Sequence, residues 1–91
     1  RQQQIYHNSS HPAIANTWNY LGTIHTKLDE YDQAIDCYSQ ALSMVENSRF
    51  PLLTSKILAN LGNSWRLSGK FETAIEKVEA ALLIQRELFP D

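Results

Sequence analysis

Apolar residues recur at intervals of three and four along most of the chain and strict alternation appears nowhere, so the pattern predicts helices and no strands. The first, α1, opens at Pro12, a residue suited to a first helical turn, and runs to about Leu28, where Asp29-Glu30 breaks the spacing. The second, α2, runs from about Tyr31 to Glu46, with Ala34, Ile35, Tyr38, Ala41, Leu42 and Val45 on one face and polar residues opposite. Asn47-Ser48-Arg49-Phe50 reads as a loop. Pro51 then opens α3, which ends near Ser68 with Gly69 supplying a left-handed turn conformation that glycine adopts at little cost. The last helix, α4, spans about Phe71 to Leu88. Gln2-Gln3-Gln4-Ile5-Tyr6 reads as part of the tail of a preceding helix (1–8), as in a segment of a longer array.

A second pattern lies over the first. Residues 40 positions apart are identical at Leu21/Leu61, Gly22/Gly62, Ala34/Ala74, Ile35/Ile75, Ala41/Ala81 and Leu42/Leu82, and similar at Tyr31/Phe71, Asp32/Glu72 and Asp36/Glu76. Self-similarity at that period predicts stacked supersecondary units, here repeat 1 at about 12–50 and repeat 2 at about 51–90 of a single domain, 1–91. The small residues Gly22, Ala34 and Ala41 let neighbouring helices approach, while Leu21, Ile35 and Leu42 are expected to fill the seam between them. Trp18 and Tyr31, with counterparts Leu58 and Phe71, are expected to wedge between the two helices of each unit as packing residues.

Trp18-x-x-Leu21-Gly22-x-x-His25, followed by Ala34-x-x-x-Tyr38 and Ala41, resembles the tetratricopeptide repeat, and the second unit matches at Leu58, Leu61, Gly62, Trp65, Ala74, Val78 and Ala81. His25 stands where tyrosine is usual, Leu58 where tryptophan is usual, and neither unit has the usual closing proline. The long period, with His11-Pro12-Ala13-Ile14-Ala15 ahead of α1 and Phe89-Pro90-Asp91 at the end, resembles the kinesin-light-chain and nephrocystin variant. The resemblance implies an all-α fold: an alpha-alpha superhelix of antiparallel hairpins, about two repeats plus the tail of a preceding helix. It also implies a protein-interaction scaffold without catalysis, binding a peptide or partner helix along a concave face lined by the first helix of each unit.

Carried over residue by residue, that face comprises Asn16, Asn19, Thr23, Thr26 and Lys27 in the first unit. In the second it comprises Lys56, Ala59, Asn60, Asn63, Arg66 and Leu67. Asn60 stands at the family's backbone-clamping asparagine, but Tyr20 occupies the equivalent place in the first unit. The carboxylate clamp of chaperone-binding members needs a lysine where Asn19 stands and an asparagine where Thr23 stands, which disfavours chaperone tails as ligands. Charge sharpens the expectation. The helices α1 and α3 carry Lys27, Lys56 and Arg66 and no carboxylate, whereas α2 and α4 carry Asp32, Asp36, Glu46, Glu72, Glu76, Glu79 and Glu87 against Lys77 and Arg86. Asp32 and Glu72 also suit the starts of their helices, but capping does not explain why α1 and α3 lack acids. The expected partner is therefore a neutral to acidic protein or peptide.

Composition removes other classes. Ninety-one residues, 43% apolar and 20% charged, make one globular domain, and a net charge of -2 does not suit a nucleic-acid binder. The uncharged stretch between Arg1 and Lys27 is too polar to span a membrane. Cys37 is the single cysteine, so neither an internal disulfide nor a multi-cysteine metal cluster can form, and a cytoplasmic setting is expected. Asp36 beside Cys37 predicts an unreactive thiol. Asn8-Ser9-Ser10 has the form of a glycosylation acceptor but reads as a polar loop. His7 and His11 have metal-ligand spacing without a third ligand near in sequence, so no metal or other cofactor is expected, and no catalytic motif occurs. The chain opens on Arg1 rather than Met, so lack of a signal peptide excludes little. Two units are fewer than the ~3 that usually stand alone, and α4 is apolar around most of its girth, so self-association through exposed ends is the alternative function. A regulatory arm of a larger enzyme is a third possibility.

Overall fold

The structure, a computed structural model, describes residues 12–45 and 50–90. The expected helix tail, His7, His11, Asn8-Ser9-Ser10 and Glu46 lie outside the described residues. Four helices account for nearly all of the rest: α1 Pro12–Lys27, α2 Tyr31–Val45, α3 Pro51–Leu67 and α4 Phe71–Leu88. Two expected ends, at Leu28 and Ser68, move back by one residue because each of these residues belongs to the turn that follows.

Those turns explain how each hairpin closes. After α3, the Lys70 and Gly69 N–H groups donate to the Trp65 and Arg66 carbonyls at 2.9 and 3.0 Å, and Gly69 has φ 93°. After α1, the Glu30 and Asp29 N–H groups donate to His25 and Thr26 at 2.9 and 3.0 Å, and Asp29 has φ 61°. Both are Schellman closures, which satisfy the orphan carbonyls of a helix end through one left-handed residue. Asp29 is thus the non-glycine counterpart of Gly69 rather than a mere interruption of the helical pattern. The Tyr31 hydroxyl donates to its carboxylate at 3.0 Å.

A different device joins the hairpins. The N–H of Thr54 donates to the Phe50 carbonyl at 2.9 Å as α3 begins, and the Thr54 hydroxyl lies 2.9 Å from that carbonyl and 3.2 Å from the Val45 carbonyl. The start of α3 is thereby tied to the last residue of α2.

The helices pack in chain order: α1 on α2, α2 on α3, α3 on α4, with α1 also reaching α3, while α1 and α4 do not touch. This is an open row of two antiparallel hairpins, since a closed four-helix bundle would bring the first and last helices together. The core is a continuous cluster of Ala15, Ala34, Tyr38, Ala41, Val45, Ile57 and Leu61, drawn from α1, α2 and α3, with Trp18 and Trp65 packed against it. The fourth helix contributes only Ala74 and Ala81 to the buried set.

Small residues set the spacing, as their repetition predicts. A Cβ built on Gly22 would lie 2.6 to 2.8 Å from three ring atoms of Tyr38, and one on Gly62 would lie 2.7 Å from Val78 Cγ2 and 3.1 Å from the Ala74 carbonyl oxygen. Cβ atoms essentially never come within 3.0 Å of another heavy atom, so at each glycine a side chain of the next helix packs directly onto glycine backbone.

Two expectations about large residues need correction. Leu61 is 2% exposed but its identical counterpart Leu21 is 38% exposed, and Ile75 and Leu82 are exposed where Ile35 and Leu42 are half-buried. A residue fills the seam only if a hairpin lies on its side of the row. Phe71, expected to wedge as Tyr31 does, is 62% exposed for the same reason.

Candidate functional site

The two first helices, α1 and α3, are neighbours, which makes them one wall. Polar side chains stitch it. The Asn60 amide donates to Asn19 Oδ1 at 3.0 Å, and Ser64 and Thr26 hydroxyls meet at 3.3 Å. The proton directions follow from counting. The Thr26 hydroxyl spends its proton on the Gly22 carbonyl at 2.9 Å, so Ser64 donates to Thr26. Likewise Thr23 donates to the Asn19 carbonyl at 3.1 Å, so the Tyr38 hydroxyl donates to Thr23 at 3.1 Å. Among the described residues no buried side-chain nitrogen or oxygen lacks a partner.

These bonds divide the nine polar residues carried over as a ligand face. Asn19 is buried and Asn60 is half-buried, each bonded to the other, so their amides hold α1 against α3. Thr23 and Thr26 are half-buried in the packing bonds just described. Asn16, Lys27, Lys56, Asn63 and Arg66 are exposed. Sequence reasoning could not foresee the division, because an asparagine on a helix face carries no mark of whether a neighbouring helix brings it a partner.

Two concavities receive four of these five exposed residues, and Lys27 lines neither. Asn16 and Lys56 share a shallow hollow of about 390 Å³ with Phe50, Pro51, Leu52 and Leu53, where apolar surface lies beside a cation. Asn63 and Arg66 belong elsewhere, on the rim of an open groove of about 460 Å³ between α3 and α4, floored by Ala59, Gly62, Ala74, Ile75 and Val78. Arg66 Nη2 donates to Asn63 Oδ1 at 2.6 Å. Glu79 lies on the groove's α4 side.

The remaining candidates have structural surroundings. His25 Nδ1 lies 2.6 Å from Glu30 Oε1, pinning the end of α1 to the start of α2. The Cys37 thiol is buried, and burial first, then the charge of Asp36, pushes its pKa up, which suppresses the thiolate. The Tyr31 phenol is likewise pushed up, chiefly by the bond it donates to Asp29. Among the described residues no group of three or more His, Cys, Asp or Glu could hold a metal, and no helix is long and apolar enough to cross a membrane.

No curated protein and no solved structure matches the chain. Residues 15–48, which take in nearly all of the first hairpin, match the family model of the tetratricopeptide repeat, a module that generally serves protein–protein interaction.

Proposed function

We propose that this chain is a protein-interaction scaffold whose α1/α3 wall takes a neutral to acidic peptide or partner helix, with no catalytic step of its own. The observation that carries the reading is the hollow beside Lys56. It couples exposed apolar surface on Leu52 to a lysine, on a wall bearing Lys27, Lys56 and Arg66 and no carboxylate. An apolar anchor gives such a ligand affinity, and a carboxylate near it gives charge-assisted pairing with the ammonium group. Asn16, across the hollow, can donate to and accept from a peptide backbone. Residues 51–90 act as a second repeat of the same kind, and the 40-residue period supports the longer kinesin-light-chain and nephrocystin-like variety. A cytoplasmic setting accords with a single, buried cysteine.

A peptide array of acidic, neutral and charge-reversed sequences tests this. Acidic peptides should be retained by the chain and lose at least about tenfold in affinity on Lys56→Glu, a change of roughly 1.4 kcal/mol. Unchanged retention in a variant with the same helical content would refute the reading. A second reading, self-association, rests on the groove between α3 and α4, which leaves Ile75 and Val78 exposed.

A further inference from the structure

The α3/α4 groove has a filled twin in the same molecule. Stepping back 40 residues from Ala59, Gly62, Arg66, Ile75 and Val78 gives Asn19, Gly22, Thr26, Ile35 and Tyr38, which belong to the first hairpin. There α3 occupies the corresponding place: Asn60 bonds Asn19, Ser64 bonds Thr26, and Leu61 is sealed against the core that contains Tyr38.

The face that α3 buries there also has an open twin, on α1. Tyr20, Leu21 and Ile24, the counterparts of Asn60, Leu61 and Ser64, are 70%, 38% and 42% exposed, whereas Leu61 and Ser64 are 2% and 0%. Among the described residues the row therefore has an open socket at one end and an unburied helix of the matching kind at the other.

Resting on the self-association reading, we propose that the occupant of the α3/α4 groove is α1 of a second copy of this chain, seated as α3 is seated on the first hairpin. The substitutions along the row compensate one another. Asn60 meets Asn19 within the chain, while between copies the larger Tyr20 meets the smaller Ala59, so no amide is left without a partner. Ser64 meets Thr26 within the chain, while between copies the Ile24 side chain meets the stem of Arg66, whose guanidinium is held aside by Asn63. Leu21 takes the place of Leu61. Charge agrees: α1 has no carboxylate and carries Lys27, and the receiving α4 exposes Glu72, Glu76 and Glu79. Because socket and inserted helix are different surfaces, the contact is head to tail, and copies add in a row until the row closes on itself or the supply of chains runs out.

Sedimentation of the 91-residue chain over a range of concentrations tests this, with Ile24→Glu spoiling the inserted helix and Ile75→Lys spoiling the socket. Both positions are exposed, so both variants should keep the helical content of the parent. The parent should grow with concentration, each variant alone should remain a monomer, and an equimolar mixture should stop at the mass of two chains, since one intact socket meets one intact α1. Monomer at every concentration for the parent overturns the self-association reading and the seating together. Growth that survives Ile24→Glu, or a mixture that stays monomeric, leaves self-association standing and overturns this seating. Sensitivity to Ile75→Lys alone would show a groove-to-groove contact, which overturns it as well.

Discussion

Gly22→Ala separates two opposing effects whose sizes can be worked from the structure. Gly22 lies inside α1, where replacing glycine with alanine ordinarily favours the helix by about 1 kcal/mol. Against this, the new methyl would stand 2.6 Å from Tyr38 Cε1 and 2.8 Å from Cδ1 and Cζ. The ring has little freedom to withdraw: Tyr38 is 2% exposed and its hydroxyl is fixed on Thr23 at 3.1 Å. Overpacking of that kind costs roughly 1 to 3 kcal/mol, so the net result should be a loss of up to about 2 kcal/mol, or as much as roughly 8 to 16 °C in Tm for a domain of this size. The assay is urea unfolding followed by circular dichroism. The informative arm repeats the substitution in a Tyr38→Ala background, where the obstruction is gone and Gly22→Ala should stabilise by about 1 kcal/mol. A gain of that size in the unaltered background would refute the argument, since the ring would then be yielding freely. Gly62→Ala should cost less than Gly22→Ala, because its main obstacle is a γ-methyl of Val78 on a helix with nothing packed behind it.

Other substitutions probe the turns, the core and the thiol. Asp29→Gly should raise stability by roughly 0.5 to 1 kcal/mol by relieving a left-handed backbone at a non-glycine residue, and Gly69→Ala should lower it by about 1 kcal/mol although a Cβ there meets no atom within 4 Å. Urea midpoints read both, and equal effects of the same sign would contradict the closure described for the two turns. Ile57→Ala, at a fully buried site, should cost about 2 to 5 kcal/mol, against less than about 0.5 kcal/mol for Leu83→Ala on the exposed side of α4. The Cys37 pKa is raised in the folded chain, so its contribution is full below the thiol's ordinary range and is lost as pH rises through the folded value. Stability measured from neutral to alkaline pH should therefore fall less steeply in Cys37→Ala than in the parent. An identical slope would show that Cys37 titrates alike in both states.

The helices were legible because amphipathic spacing and prolines at two starts are local signals. The hairpin arrangement was legible because the period of 40 residues repeats Gly22, Ala34 and Ala41 as Gly62, Ala74 and Ala81. What the sequence concealed depends on neighbours. Leu21 and Leu61 are the same residue in the same local pattern, and only the presence of a hairpin on the outer side decides that one is sealed and the other is open. The same holds for Asn19 and Asn60, which spend an acceptor and a donor on each other across the α1/α3 contact. The positive φ of Asp29 is, by contrast, written in the sequence, since the 40-residue offset pairs it with Gly69.

The missing contact between α1 and α4 sets how the molecule comes apart. With its sealed cluster confined to the first three helices and only two alanines of α4 buried, the chain has a strong side and a weak one. Amide exchange should show the final helix opening first and often, while the amides around Tyr38 and Ile57 exchange only when everything melts. A copy docked in the groove would press on that weak side, so association and the protection of α4 should rise together.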